Sequence, residues 1–333
     1  MKNHTIFFKN DILIENTATI VGPKEHQGPM GKYFDKFVND DLLGQKSYEH
    51  AETRLHISAL RYLLNKSGLT DHEIDLCISG DLLDEICGSN FTMRDFDIPF
   101  MGVYNACATF GEALIFASSL LDTGNFERII CSTSSHFSTA ERQYRFPLEL
   151  GNQRTPLAQW TVTGVGATLL NRDKGCVRIE SATIGRVVDY GVTDANDMGA
   201  AMAPAARETL LAHLEGTSRD PDYYDLILTG DLGEAGHRLL KLLMEEKGVR
   251  LSDDNYTDCG ILIFNRQGQD VGQGGSGAGC SSSVFNGYVY KKMLQGELRR
   301  VLLIPTGALV SKTSNLQGES IPGIAHAVSF ERI

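Results

Sequence analysis

Apolar residues recur with helical spacing over residues 47–67 and stop before Gly68. They are Ala51, Leu55, Ile57, Ala59, Leu60, Leu63 and Leu64. This pattern predicts a surface helix that ends at the glycine. Residues 76–79 are a short apolar run typical of a buried strand. The stretch from residue 107 to about residue 122 is apolar nearly all round, which predicts a central helix covered on every side.

The same kinds of element follow along the rest of the chain. Strands are predicted over residues 160–170, 177–184, 225–229, 300–304 and 325–330, and helices over residues 205–214, 237–247 and from Cys280 onwards. Strands that alternate with helices predict a mainly parallel sheet covered on both faces. Residues 186–204 are rich in glycine, alanine and methionine, contain Pro204, and are interpreted as an irregular connection.

An internal repeat divides the chain into two halves. Asp75-Leu-Cys-Ile-Ser-Gly-Asp-Leu82 is echoed by Asp225-Leu-Ile-Leu-Thr-Gly-Asp-Leu232. Downstream of each copy, a turn of small residues leads through a cysteine, Cys107 or Cys280, into an apolar helix. The repeat predicts two similar α/β halves, residues 1–185 and 186–333, with the chemistry between them.

Composition excludes several classes of function. A net charge of −11 disfavours nucleic acid as a partner. Seven cysteines without Cys-x-x-Cys spacing indicate neither a disulfide framework nor a structural zinc site. We find no signal-peptide pattern, and no apolar run approaches the ~18–20 residues that span a bilayer, so we expect a soluble chain.

Cys107 is the leading candidate for chemistry. A thiol at the N-terminus of a helix is close to the positive end of the helix dipole and to free N–H groups, which lower its pKa and favour the thiolate. The alternative is a small residue that packs at a crowded turn. Cys280 lies in a glycine-rich loop that has no phosphate-binding spacing, so we expect close backbone contact there.

Other polar residues fall at predicted strand ends. The histidines are His136, His237 and His326, each of which could instead be a structural donor. Asp81 and Asp231 each follow a glycine, where a carboxylate either caps the next turn or faces a pocket, binding a metal or orienting a histidine. Arg145 and Arg154 are weaker candidates for cationic contacts.

Long motifs carry a resemblance to a known family. They are Asn105-Ala-Cys107, Ser134-Ser-His136, Ala158-Gln-Trp-Thr-Val-Thr-Gly164, Ser181-Ala-Thr-Ile-Gly-Arg-Val-Val-Asp189, Leu228-Thr-Gly-Asp-Leu-Gly233, Gly274-Gly-Ser-Gly-Ala-Gly-Cys280 and Ser320-Ile-Pro-Gly-Ile-Ala-His-Ala-Val328. The cysteine turns within repeated halves resemble the thiolase superfamily. The longer motifs are similar to the stage V sporulation protein AD family of endospore-forming bacteria, from about residue 20 to the end.

The resemblance implies a thiolase-like α/β fold in which two βαβαβαββ halves form five layers, α-β-α-β-α. It implies binding of dipicolinic acid, free or as its calcium chelate, for uptake into the developing spore. The implied pocket lies around Asp81, Cys107 and His136, and we add His237 and His326 from the second half. No cofactor and no resident metal are expected, and any calcium would be carried in with dipicolinate; the resemblance leaves open whether calcium is required.

The resemblance also implies partners. Other stage V sporulation A proteins are expected at the spore inner membrane, where the chain would be peripheral. Superfamily members pair through strands beside the cysteine helix, so a homodimer is expected by analogy.

Catalysis in this superfamily needs a nucleophilic cysteine with two second-half partners, His with His or His with Asn. This chain offers Ser276 and Cys280 in the glycine-rich loop and Ser320-Ile-Pro-Gly near the end, and His237 is the one plausible survivor. We therefore favour binding over turnover. An acyltransferase that uses Cys107 as its nucleophile, and a scaffold with a vestigial pocket, are the alternatives.

Overall fold

A continuous mixed sheet forms the framework of the protein. The computed structural model describes residues 4–144 and 154–333. Within them, eleven strands join in one sheet: β1 (Thr5–Val21), β2 (Lys36–Phe37), β3 (Leu76–Gly80), β4 (Phe100–Gly102), β5 (Ile129–Ser135), β7 (Gly164–Asn171), β8 (Val177–Thr183), β9 (Leu226–Thr229), β10 (Tyr256–Asp258), β12 (Arg300–Ile304) and β15 (Ala327–Arg332). Two short pairs lie apart: β6 (Trp160–Thr161) with β11 (Gly275–Ser276), and β13 (Thr306–Ala308) with β14 (Gly323–Ala325).

The two ends of the sheet repeat each other. Outward from β1, the order is β1-β7-β5-β3-β4, and outward from β8 it is β8-β15-β12-β9-β10. In each set the first two pairings are antiparallel and the last two are parallel. The predicted duplication is therefore confirmed in the topology. β1 joins the halves by pairing with both β7 and β8.

Helices lie outside and between the two parts of the sheet. They are α1 (Pro23–His26), α2 (Tyr48–Ser67), α3 (Cys87–Met93), α4 (Thr109–Asp122), α5 (Phe137–Tyr144), α6 (Met198–Thr217), α7 (Gly233–Glu245), α8 (Cys259–Ile263), α9 (Ala278–Val284), α10 (Tyr290–Gln295) and α11 (Lys312–Leu316). α2 packs on β1 and β7, whereas α6 packs on β8 and β15 beside α7. α4 and α9 contact each other and lie centrally, α4 against β5 and β15, and α9 against β7. This arrangement is the α-β-α-β-α layering that the resemblance implied.

Capping residues explain where the outer helices begin and end. The Ser47 hydroxyl accepts the His50 N–H at the start of α2, and Gly68 ends it in the left-handed conformation, φ 68°. The predicted bounds of this helix are thus confirmed to within a residue, because a serine N-cap and a glycine C-cap are strong local signals.

Two predictions about elements are wrong. The sheet is mixed rather than mainly parallel, because β7 and β15 return antiparallel to their neighbours. Residues 186–204 are only partly irregular, since α6 begins at Met198, where the Asp197 side chain accepts the Ala200 N–H. Pro204 lies inside α6, in a helix whose inner face is buried.

The boundary predicted at residues 185 and 186 stays a prediction. The strand order groups β8 with the second half, whereas that boundary leaves it in the first. None of the helices in the described parts of the chain has the length and apolar character needed to cross a bilayer.

Candidate functional site

The turn before α4 holds Cys107 at the junction of the two halves. Ala106 has a positive φ of 50°, an unusual conformation for a residue with a side chain. Thr109 Oγ1 accepts the Asn105 N–H at 3.0 Å and donates to the Ala106 carbonyl at 2.6 Å, which fixes the turn. Strain of this kind costs about 1–3 kcal/mol and persists only where the surroundings enforce it. The result is a half-buried thiol at the start of a central helix.

Asp231 is the acidic neighbour of Cys107. It is buried, accepts the Thr306 hydroxyl at 2.7 Å and the Gly277 N–H at 3.2 Å, and takes a hydrogen bond from the Cys107 thiol. Burial, and then the charge of Asp231, raise the pKa of Cys107 well above its ordinary value. Burial raises the pKa of Asp231 itself to about 7.

These surroundings overturn the expectation of a lowered thiol pKa. The helix terminus and the Gly277 N–H favour the thiolate, but desolvation and an adjacent carboxylate outweigh them. Cys107 is therefore a neutral thiol at physiological pH.

A cavity of about 60 Å³ lies beside Cys107 between the halves. Its lining from the first half is Leu82, Tyr104, Ala106, Cys107, Ala140, Glu141, Tyr144 and Thr161, and from the second half Met198, Met202, Asp231, Ser276, Ala308 and Val310. Among the described residues, this lining contains two carboxyl groups and no lysine, arginine or histidine.

The cavity adjoins a wider groove of about 980 Å³. Tyr104, Tyr144 and Val310 line both, so they form the mouth between them. The two tyrosine hydroxyls are hydrogen-bonded at 2.9 Å. Of the described residues that line the groove, Arg142 and Lys312 are cationic, and Glu49, Asp84 and Glu85 are acidic.

His136 is held away from the cavity lining. Its Nδ1 accepts the Ser138 N–H at 3.1 Å, so its Nε2 donates to the Asp41 carbonyl at 2.8 Å. Burial lowers its pKa. Both ring nitrogens are occupied by backbone groups, as expected of a structural histidine.

Asp81 also bonds within its own half. Its two oxygens accept the Leu83 N–H at 2.9 Å and the Ser89 N–H at 2.6 Å. The carboxyl group is completely buried and does not line the cavity. The turn-capping alternative describes this geometry.

His326 supports the cysteine turn from the second half. Its Nδ1 accepts the Gly185 N–H at 3.2 Å, so Nε2 carries the proton. The Asn105 side-chain amide lies 3.2 Å from Nε2 and accepts this proton when its oxygen faces the ring. Burial lowers its pKa to about 4, so the ring is neutral. His326 therefore contacts Asn105, two positions before Cys107, and does not line the cavity.

His237 lies on α7 and is stacked on Tyr256, with ring centroids 4.5 Å apart. It lines neither the cavity nor the groove. Of the five predicted ligand-binding residues, only Cys107 lines the cavity. A ligand-binding role stays a prediction for all five.

The prediction missed the residues that surround Cys107. Asp231 takes the same position in the repeat as Asp81, and its place opposite the cysteine follows from the repeat only once the packing of the halves is known. Tyr104 and Tyr144 carry no motif, and Ser138-x-x-Glu141 predicts only the start of a helix. Arg154 donates to the Asp270 carbonyl at 2.8 Å and lies over Trp160, whereas Arg145 falls outside the described residues.

A resident metal has no evident set of ligands. Across residues 4–144 and 154–333, there is no group of three or more histidine, cysteine, aspartate or glutamate side chains placed to hold a metal ion. The Asp231 and Glu141 carboxyl groups in the cavity could each supply single oxygens to a cation that a ligand already chelates.

The duplicated sheet, central cysteine helix and intervening cleft define a protein with the condensing-enzyme fold. The structure is similar to 3-oxoacyl-[acyl-carrier-protein] synthase III from Aquifex aeolicus VF5, with a TM-score of 0.57, 13% identity, and 96% of this chain and 99% of that chain covered. It is also similar to a variant of Xanthomonas campestris OleA, with a TM-score of 0.61, 14% identity, and 98% and 99% covered. At these identities, the similarity shows the fold alone.

Sequence comparison identifies the family. The model of the stage V sporulation protein AD family matches residues 2–331. Stage V sporulation protein AD of Bacillus subtilis (strain 168) is 43% identical over 328 residues, which cover 98% of this chain and 96% of that protein. The chain belongs to the stage V sporulation protein AD family.

Proposed function

We propose that this chain binds dipicolinic acid, mainly as its calcium chelate, and supports its uptake into the developing spore. The observation that carries the proposal is the cleft between the halves. There Cys107 faces a cavity and has Asp231 as its neighbour, with no histidine among the described residues of the lining. A cleft that keeps its thiol protonated suits binding better than turnover.

The sizes of the cavity and the groove support a position for the proposed ligand. Pockets for small molecules usually measure about 300–1,000 Å³. The inner cavity, at about 60 Å³, is far smaller, whereas the groove, at about 980 Å³, is at the upper end of that range. The flat ligand would therefore lie at the mouth, between Tyr104, Tyr144 and Val310, with one edge towards Cys107.

Charge favours the chelate over the free dianion. The buried Asp231 carboxylate in the inner cavity would repel a free dicarboxylate. In the chelate, the two ligand carboxylates and the ring nitrogen already hold calcium, and open coordination positions remain for protein oxygens. Calcium is then part of the cargo, and the protein itself needs no complete metal site.

We further propose that two copies of the chain pair through β4, and that the other stage V sporulation A proteins receive the ligand at the spore inner membrane. β4 is an edge strand that directly precedes the cysteine turn, and Met101 on it is 45% exposed. An exposed edge strand with apolar side chains is a ready site for pairing with another strand.

Protection of Cys107 from alkylation tests the binding proposal. Iodoacetamide labelling is followed by peptide mass spectrometry with and without saturating dipicolinate or its calcium chelate, and the half-buried Cys176 serves as the internal control. We expect the chelate to slow labelling of Cys107 and leave Cys176 unchanged. Equal labelling of Cys107 with and without either ligand form would refute the proposal.

The acyltransferase alternative also has an observation in its favour. The Gly277 N–H points to the Cys107 sulfur, where it could stabilise negative charge. This alternative requires an acyl adduct on Cys107 after incubation with acyl-CoA. Intact-protein mass spectrometry of the wild type and of Cys107→Ser distinguishes the two functions.

A further inference from the structure

The loop after β3 is a strained wall of the groove. Glu85 and Ile86 are consecutive residues with positive φ, 55° and 49°. Positive φ is rare for residues with side chains and a clear outlier for a β-branched one such as Ile86. Both residues line the groove, together with Leu83 and Cys87. Strained backbone at the edge of a groove is a reason to look for a functional constraint.

Asp81 fastens this loop at both ends. One carboxylate oxygen accepts the N–H of Leu83, where the loop starts, and the other accepts the N–H of Ser89, in the first turn of α3. The approach is close: a Cβ on Gly88 would lie 3.1 Å from the Asp81 carboxyl group. A single buried side chain therefore spans the strained residues.

The same loop is tied to the mouth of the cavity. The Asp84 N–H donates to Gln143 Oε1 at 3.0 Å, and Gln143 Nε2 donates to the Leu82 carbonyl at 2.8 Å. The Tyr144 hydroxyl also donates to the Leu82 carbonyl. Since Tyr144 lines both the groove and the cavity, displacement of the loop would move the mouth through these contacts.

We infer that Asp81 is a positioning residue that latches the loop of residues 83–88 and thereby sets access from the groove to Cys107. This inference rests on the proposed function only in assigning the groove as the ligand's entrance. Asp81 acts on the ligand through the loop and not by direct contact. The predicted importance of Asp81 then has a structural basis although its carboxylate does not line the cavity.

The inference is tested without ligand, so that its outcome is independent of dipicolinate binding. The alkylation rates of Cys87, which lines the groove, and of Cys107, which lines the cavity, are measured. Both are compared with the rate of the half-buried Cys176, which directly precedes β8. The Asp81→Asn variant keeps one acceptor but loses the other. We expect the Cys87 and Cys107 rates to rise about fivefold or more relative to Cys176.

A matched pair of glycine variants tests the strain itself. Glu85→Gly removes the cost of a positive φ at an exposed position, which stabilises the closed loop and should slow Cys107 labelling about fivefold. Asp84→Gly adds chain freedom at a neighbouring residue without positive φ, and should leave labelling unchanged or faster.

The outcomes are distinct. An unchanged ratio of Cys87 to Cys176 in Asp81→Asn, or a parallel rise of all three cysteines, overturns the latch. The same effect of Glu85→Gly and Asp84→Gly on Cys107 also overturns it. If Asp81→Asn does not fold, Gly88→Ala tests the latch instead, because its Cβ would lie 3.1 Å from the Asp81 carboxyl group and push the loop away from it. An unchanged ratio of Cys87 to Cys176 in Gly88→Ala then overturns the latch. If the variants behave as expected but calcium-dipicolinate does not slow the labelling of Cys107, only the proposed function is contradicted.

Discussion

Asp81 and Asp231 occupy the same position in the repeat but have different neighbours. The Asp81 oxygens accept backbone N–H groups from the loop that follows it. The Asp231 oxygens accept from Thr306 and Gly277, far along the chain, and its carboxyl group faces Cys107. Of these two carboxyl groups, only that of Asp231 therefore reaches the cleft, where burial of the thiol and then the Asp231 charge raise the pKa of Cys107.

Replacing Asp231 should make Cys107 more reactive. Asp231→Asn removes the negative charge that raises the Cys107 pKa, so the thiolate fraction rises. Loss of an adjacent like charge typically shifts a pKa by about one unit or more, which corresponds to roughly tenfold faster alkylation at pH 8. The pH dependence of the labelling rate measures the shift.

Thr306→Val is the intermediate variant for this prediction. It removes the 2.7 Å hydrogen bond that lowers the pKa of Asp231, so less of that carboxyl group is ionised near pH 8, and Cys107 should react faster than in the wild type but more slowly than in Asp231→Asn. The same midpoint of the pH profile in Asp231→Asn and in the wild type would show that Asp231 does not control the thiol.

Glu25 should make the protein less stable as the pH rises. It is buried, its Oε1 accepts the Thr163 N–H at 3.0 Å, and burial raises its pKa from 4.5 to about 8. The pKa of Glu25 is higher in the folded protein than in the unfolded chain. Its stabilising contribution is therefore complete below about pH 4.5 and is lost as the pH rises through about 8.

Glu25→Gln keeps the acceptor oxygen and removes the ionisation. We expect it to raise the melting temperature at pH 8 by about 2 °C or more, and to change it little at pH 4.5. Thermal unfolding across this pH range measures the effect, and the exposed Glu246→Gln is the control. The same change in melting temperature for Glu25→Gln and Glu246→Gln at every pH would contradict the prediction.

Among the elements, α9 depends on glycines in the strand it covers. A Cβ on Gly166 of β7 would lie 2.3 Å from the backbone of Ser282 in α9. Backbone atoms at that distance cannot rearrange cheaply, so the central helix packs on β7 only because this residue has no side chain.

Gly166→Ala should therefore destabilise the protein by about 3 kcal/mol or more, or prevent folding. Gly268→Ala is the control, since its Cβ would meet only the Asn265 side chain, at 3.0 Å, on the surface. Chemical denaturation of both variants measures the difference. Equal stability of the two variants would mean that the helix can move away from the strand.

The elements could be predicted where the signal is local. Ser47 and Gly68 mark the ends of α2, and the repeated Gly-Asp turns mark the ends of β3 and β9. The direction of β7 and β15 could not be predicted, because strand pairing is decided by partners distant in sequence. The start of α6 was missed because Pro204 suggested an interruption that a buried helix accommodates.

The same distinction applies to the site. Cys107 was found from its own turn, which carries a local motif. His136, His237 and His326 gave a similar local signal, but their ring contacts come from Asp41, Tyr256 and Asn105. The polar group that faces the cysteine is determined by how the two halves pack together. That packing joins residues far apart in the chain, so no short motif predicts it.

At the scale of the whole molecule, the duplication leaves two unequal sheet edges. β10 is largely buried, whereas its counterpart β4 is partly to fully exposed along its length. The exposed side chains near β4 include Phe91, Met101 and Tyr104, each about 45% exposed. The asymmetry favours β4 as the edge that a second copy covers.

Met101→Lys should weaken the proposed dimer by placing a charge on that edge. Leu242→Lys, on α7 in the second half and 60% exposed before substitution, is the control and should leave the association unchanged. Sedimentation velocity over a range of concentrations reports the state of each variant. A wild type that is monomeric throughout, or a dimer insensitive to Met101→Lys, would contradict pairing through β4.

Calorimetric titration with calcium-dipicolinate tests the central claim most directly, namely that the cleft between the halves binds a ligand without turning it over. The account predicts one saturable site per chain, weaker binding of free dipicolinate, weakened affinity for Lys312→Ala at the groove, and unchanged affinity for the distant Lys247→Ala. Absence of binding heat with either form, together with steady release of CoA from an acyl-CoA by the wild type but not by Cys107→Ser, would contradict it.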